Sequence, residues 1–355
     1  MAERTEPKLI FVVGVWRSGT SLLHAMLNQH PQIGLMFEAE PFGLFPLKKD
    51  VVFPPDWAAR LEFFNQALSR HKLDPAELPT RETGRECLLS MFRIIAARKK
   101  AAIMGGKSPT YHAWLPRIAN IFPEADFIII WRNPLDSVRS VKDAGRQNRF
   151  FGARGVLTRT YFGSEQMFKG VAKLRADGRR VHELLFADLV TTPELEMKKI
   201  CDFIGVDFDP RMPDLRSADF SMVPPGEHHE PLRSGMLEKK QRRNEVLSRQ
   251  WVEKDQRYVK LWRERYGDSF FARSLTSESA KISPGAFEIG TDRLIYWWWR
   301  LWSRFKNKVI RRTSLAFWQQ FRGEDTTPPP ANPLNDPRPL DKAVDKERSS
   351  ADIGR

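Results

Sequence analysis

The chain has 355 residues, 41% of them hydrophobic, and 58 Lys and Arg against 44 Asp and Glu, for a formal net charge of +14. That length and apolar content allow one large domain with appendages, and the positive excess fits an anionic ligand or an acidic surface. Two cysteines far apart, Cys87 and Cys201, indicate neither a disulfide framework nor a zinc site, and without a zinc, homeodomain or RNA-recognition signature nucleic acid is not an expected partner.

The opening MAERTEPK mixes acidic and basic residues and shows no cleavable leader. No run reaches the roughly eighteen apolar residues of a spanning helix. A reducing cytoplasmic setting is the simplest expectation, with attachment to the inner face of a membrane left open.

Leu9 to Val13 is a short, partly β-branched apolar run, suited to a strand buried on both faces. After Gly14 come Arg17, Ser18, Gly19, Thr20 and Ser21, then Leu22, Leu23, Met26 and Leu27 at helical spacing, so the stretch reads strand, turn, helix. Such a turn aims backbone N–H groups and a helix N-terminus at one point, where an anion is stabilised. The glycine spacing is that of a phosphate-binding P-loop, yet Thr20 stands where a Walker A lysine would be, and the cation sits inside the loop as Arg17. An anion of lower charge, needing no metal, fits better than a nucleoside triphosphate, which disfavours the alternative of a P-loop kinase.

The helix is expected to end near His30-Pro31. The apolar run that follows delivers Glu38 and Glu40 just past its end, of which one is expected to face the site. Residues 41–100 mix aromatics, prolines and charges and read as a helical, substrate-side insertion. A second strand precedes Gly105, Gly106, Lys107 and Ser108, with Pro109 and His112 following. Asp126 to Trp131 is a third buried strand, ended by Arg132, and Asn133-Pro134 opens a helix that carries Ser140. Val181 to Phe186 reads as a further strand, before a helix with Leu195, Ile200, Phe203 and Ile204 on one side.

The Arg17 to Ser21 loop, and the strand-end Arg132 with Ser140 eight residues on, together resemble the sulfotransferases that use 3′-phosphoadenosine 5′-phosphosulfate (PAPS). The resemblance covers roughly residues 8–270. It implies an α/β fold of the P-loop-like, three-layer kind, with a central parallel five-stranded sheet and the nucleotide at the carboxyl ends of the strands. It implies that Arg17, Ser18, Gly19, Thr20 and Ser21 bind the 5′-phosphosulfate, that Arg132 and Ser140 bind the 3′-phosphate, and that Lys107 faces the transferring sulfonyl group. Arg233, in an R-S-G triplet similar to a 3′-phosphate clasp of the cytosolic branch, is a weaker addition to that set. Pro109 stands where the cytosolic branch carries its catalytic His, so the carboxylate-base branch is favoured, with Glu38 as the base and Glu40 as second choice. His112 is then a packing or surface residue. Phe186 stands where the family has a nucleotide-contacting Tyr, so that hydroxyl is lost. PAPS is the implied co-substrate, without a metal, and the acceptor is expected to be a hydroxyl of a carbohydrate, a glycolipid or another membrane-associated alcohol.

Trp251 to Tyr266 reads as a helix closing the domain, and 271–290 as a polar linker. Residues 291–322 differ in kind. In a helix, Leu294, Trp298, Leu301, Trp302, Phe305 and Val309 form one stripe, opposite Arg300, Ser303, Arg304, Asn307 and Arg311. This C-terminal amphipathic helix could lie on a membrane surface, or dock on the catalytic domain or a second subunit. A non-catalytic peripheral membrane protein would need no more than this helix and the charge, but leaves the paired anion motifs without a purpose. Residues 323–355, rich in Pro and charge, are expected to be disordered.

Overall fold

The computed structural model describes residues 7–39, 41–45, 48, 50–145 and 154–223, and further single positions between 247 and 319. Five strands, β1 (Lys8–Val13), β2 (Ile33–Phe37), β3 (Ile103–Ser108), β4 (Asp126–Trp131) and β5 (Val181–Leu185), form one parallel sheet in the order β2-β3-β1-β4-β5.

The strands read as unbroken apolar runs because both faces are covered, and their period of two sorts the side chains into two cores. Phe11 and Val13 of β1 and Phe127, Ile129 and Trp131 of β4 join one core. Ile10, Val12, Ile128 and Ile130 join the other. The first is closed by helices α4 (Gly84–Arg98), α5 (Leu115–Ile121) and α7 (Arg154–Ala176). The second is closed by α1 (Thr20–Gln29) and α9 (Pro193–Ile204). Between them in the chain lie α2 (Trp57–Asn65), α3 (Ala67–His71), α6 (Pro134–Gly145) and α8 (Phe186–Thr191). The result is a three-layer P-loop-like α/β fold.

Gly105 shows why β3 tolerates no side chain where it pairs with β1. Its φ is +144°, and a Cβ there would lie 1.8 Å from the Ile10 carbonyl oxygen. The exposed edge of β2 is covered by a side chain acting as a neighbouring strand: Asn28 donates to the Leu35 carbonyl at 3.0 Å and accepts from the Leu35 N–H at 2.9 Å.

Three expectations change. Phe186 starts a helix instead of ending β5, and Leu195 is 49% exposed, because α9 turns Met197, Ile200, Cys201 and Ile204 inward instead. Within the expected linker, Ile282 and Ser283 pair in parallel with Leu247 and Ser248. Most of 251–266 and all of 323–355 lie outside the described residues.

Candidate active site

The sheet order places its switch point between β1 and β4, adjacent strands from which the chain departs in opposite directions. Ligands bind α/β sheets in the crevice beyond the carboxyl ends of such strands. The turn after β1 and Arg132 after β4 face each other across it.

In that turn Arg17 has φ 63° and Gly19 has φ 101°, so left-handed residues alternate with ordinary ones and bend the backbone into a concave nest. Gly19 is the N-cap of α1 and offers no side-chain cap, so the helix's first N–H groups have no side-chain acceptor there. Ser18 is fully buried, and its Oγ has no hydrogen-bond partner among the described residues. A buried hydroxyl in this condition beside an uncapped helix start is the kind of geometry that suits an anion's oxygens.

Arg132 closes the crevice from the other side. Its Nη1 donates to the Arg17 carbonyl at 2.7 Å. Its guanidinium lies 4.4 Å over the Phe186 ring, and that ring packs on the turn so closely that a Cβ at Gly19 would meet it at 2.3 Å. Phe186 therefore supplies a platform joining the two motifs, without the hydroxyl of a tyrosine. On α6, the Ser140 hydroxyl accepts from Arg17 Nε at 3.1 Å. Arg17, Arg132 and Ser140, spread over more than a hundred residues of sequence, thus form one connected group.

A second group sits at the ends of β2 and β3. Lys107 is fully buried, and its Nζ lies 2.5 Å from Glu38 Oε1, 3.0 Å from Ser21 Oγ and 3.9 Å from the centre of the Phe37 ring. Burying an ammonium is costly unless it is paired, and the Glu38 carboxylate, 12% exposed, is the partner that offsets the cost. Ser21, on the first turn of α1, ties this group to the turn after β1.

Glu38 itself sits at φ 51°, a conformation that is uncommon without glycine. Three neighbours hold its peptide there. Its N–H donates to the Lys107 carbonyl at 2.8 Å, and its carbonyl accepts from Arg70 Nη1 at 2.9 Å. One residue earlier, the Phe37 carbonyl accepts from His71 Nε2 at 2.8 Å. Burial lowers the His71 pKa to about 4, so the ring is neutral and this bond fixes its tautomer. His24, on α1, is likewise lowered to about 3, by burial first and by the Lys107 charge second.

Arg70 and His71 are the residues that sequence reasoning missed. They lie in the insertion between β2 and β3, at the end of α3. In sequence, a basic pair there reads as ordinary compensation of a helix dipole. Of the predicted site residues, Arg17, Ser18, Gly19, Thr20, Ser21, Glu38, Lys107, Arg132 and Ser140 all gather along the carboxyl edge of the sheet. Glu40 and Arg233 lie outside the described residues. His112 is buried, with Nδ1 donating to the Pro109 carbonyl at 2.7 Å and its ring edge-on to Trp16. It is a packing residue.

A left-handed turn with an uncapped helix start, faced by a strand-end guanidinium at the switch point, is the arrangement of an α/β protein of the P-loop-like kind. The chain belongs to the sulfotransferase family: the sequence model of that family matches residues 7–210, more than half of its length. The chain is 26% identical over 208 residues to protein-tyrosine sulfotransferase 2 of Gallus gallus, covering 57% of this chain and 52% of that one. It is 25% identical over 261 residues to the omega-hydroxy-beta-dihydromenaquinone-9 sulfotransferase of Mycobacterium tuberculosis, covering 58% and 65%. It therefore spans between half and two thirds of the length of these curated relatives. Among solved structures, it is similar to the sulfotransferase domain of the Synechococcus PCC 7002 olefin synthase, with a TM-score of 0.42 and 16% identity, covering 73% of this chain and 98% of that one.

Proposed function

We propose that the protein transfers a sulfonyl group from PAPS to a hydroxyl of a carbohydrate, a glycolipid or another membrane-associated alcohol, through the carboxylate-base version of the chemistry. The observation that carries this reading is the 2.7 Å bond from Arg132 to the Arg17 carbonyl, with Ser140 on Arg17 Nε. Two motifs distant in sequence meet at one crevice, each with chemistry for a phosphate oxygen.

The residues present fit such a nucleotide. The turn from Arg17 to Ser21, with its orphaned Ser18 hydroxyl, would hold the 5′-phosphosulfate, and Arg132 with Ser140 the 3′-phosphate. When bound, PAPS supplies the sulfonyl group and leaves as adenosine 3′,5′-bisphosphate. The Glu38 carboxylate accepts the acceptor's hydroxyl proton. Lys107 orients that carboxylate through Oε1, and with Arg17 and the turn's N–H groups it sets positive charge where negative charge develops on the leaving oxygen. Arg70 and His71 keep the Glu38 peptide in its uncommon conformation, which aims the base. An alcohol of ordinary acidity requires a base, and this one is placed beside the anion cradle. One relative, by its name, acts on an omega-hydroxylated menaquinone, which supports a hydroxylated lipid among the acceptors.

The test is titration with adenosine 3′,5′-bisphosphate, followed by transfer of radiolabelled sulfate from PAPS into lipid and glycan extracts. Binding together with a labelled acceptor is expected. Absence of nucleotide binding by the folded chain contradicts the reading.

A further inference from the structure

We propose that the helical positions described between 294 and 312 form a membrane-surface anchor, which lays a tryptophan stripe into an anionic bilayer interface while its far end stays fixed to the sulfotransferase domain. This inference does not depend on the donor nucleotide.

Leu294, Trp297, Trp298, Leu301, Trp302 and Phe305 are helical and between 39% and 66% exposed. Their spacing of three and four puts them on one side of the helix. A stripe of this periodicity ordinarily faces a protein core, and here its described residues are exposed. Among the described residues the other exposed large hydrophobics, Val52 and Leu195, are isolated from one another in the sequence.

Attachment to the domain occurs further along. Arg60 of α2, 8% exposed, donates through Nη1 to the carbonyls of Ile310 at 3.0 Å and Thr313 at 2.9 Å. Ile310 is 2% exposed, and Trp318 meets the Phe64 ring edge-on at 5.7 Å while its Nε1 donates to Thr313 Oγ1. Docking on the catalytic domain thus accounts for the later turns and, among the described residues, leaves the stripe exposed.

Charge selects the occupant. From Arg293 to Arg322 the sequence carries eight Arg and Lys and no Asp or Glu. Two copies packed stripe to stripe would bring like charges together, whereas an anionic lipid surface attracts them. Tryptophan is suited to the headgroup level, where one part of the ring is in apolar surroundings and its N–H is wet. With Arg300, Arg304, Lys306, Lys308, Arg311 and Arg312 in its sequence, this segment is too charged to cross a bilayer and suits the surface instead.

The full chain should sediment with phosphatidylcholine vesicles containing about one third phosphatidylglycerol at least ~10-fold more strongly than with phosphatidylcholine alone, and added salt should reduce the difference. A triple variant, Trp297→Ser, Trp298→Ser and Trp302→Ser, should lose ~10-fold or more of that binding. It should keep the elution volume and nucleotide affinity of the unmodified chain, and Leu195→Ser should change neither. In the unmodified chain, lipids with brominated tails should quench part of the tryptophan fluorescence. Equal sedimentation of the triple variant, absence of quenching, or a triple variant whose only change is from dimer to monomer would each overturn the proposal; the last would assign the stripe to a second copy.

Discussion

The carboxyl edge of the sheet and the C-terminal helix break the same rule in opposite directions. At the sheet edge the chain fully buries a lysine, and on the helix it leaves Trp298 66% exposed. Both arrangements cost free energy unless a partner is supplied. For Lys107 the partners are internal: the Glu38 carboxylate, the Ser21 hydroxyl and the Phe37 ring. For the tryptophan stripe no described part of the molecule provides one. The comparison separates a buried charge whose cost is offset within the fold from an apolar stripe that no described residue covers.

Removing an internal partner should have the largest effect. Glu38→Gln leaves Lys107 buried without its counter-charge, so it should lower stability by about 3–5 kcal/mol, judged from buried pairs broken on one side. It should also lower turnover by roughly 10²–10⁴ through loss of the base. Denaturant titration and a sulfate-transfer assay measure the two, and wild-type turnover would remove Glu38 from the chemistry.

Arg70→Ala comes next. It leaves the carboxylate present but releases the Glu38 carbonyl, and misplacement of a base by about 1 Å is enough for up to ~10²-fold in turnover. Nucleotide affinity should be unchanged, because Arg70 touches the base side of the site and not the cradle. A proportional loss in both would show that Arg70 is only structural.

The buried histidines sharpen the comparison through pH. His24 and His71 have folded pKa values of about 3 and 4 against an ordinary 6.5, so the unfolded chain takes up protons that the folded chain refuses. Their contribution is fully present above about pH 6.5 and is lost as pH falls through about 4 for His71 and about 3 for His24. Unfolding midpoints should drop across that window, and His71→Gln should make the slope shallower by about one proton. A flat profile would mean that both rings charge freely in the folded state.

The smallest effect is expected at the tether between the two regions. Arg60→Ala deletes two hydrogen bonds to the Ile310 and Thr313 carbonyls. It should speed amide exchange and proteolysis around 305–315, with sulfate transfer to a small soluble acceptor unaffected. Lost transfer would tie the helix to catalysis itself.

What sequence made legible follows from the range of the forces involved. The β1 turn, the strand-end Arg132 and four of the five strands announce themselves through local patterns: apolar runs, glycine spacing and a proline at a helix start; the parallel five-stranded arrangement comes from the family resemblance alone. Phe186 could be placed to within one residue, but its packing on Gly19 and under Arg132 depends on segments that are distant from it along the chain. Arg70 and His71 look in sequence like cations at any helix end, and only the fold brings them to the peptide of Glu38. Leu195 fits the apolar period of α9, yet Met197 and Cys201 fill the inward positions. For the C-terminal helix, periodicity gave a stripe and no direction. Which way it faces depends on where Arg60 fastens the following turn.

The account rests on one nucleotide being held from both ends, and a cycle of ligand against residue tests that most directly. Affinities for adenosine 3′,5′-bisphosphate and for adenosine 5′-monophosphate would be measured for the unmodified chain and for Arg132→Ala. The unmodified chain should prefer the bisphosphate by roughly 10- to 100-fold, the worth of charged hydrogen bonds to one phosphate, and Arg132→Ala should erase that preference while leaving the monophosphate affinity nearly unchanged. Equal preference in the two proteins, or an equal loss for both ligands, would contradict the assignment of Arg132 to the 3′-phosphate and with it the account of the site.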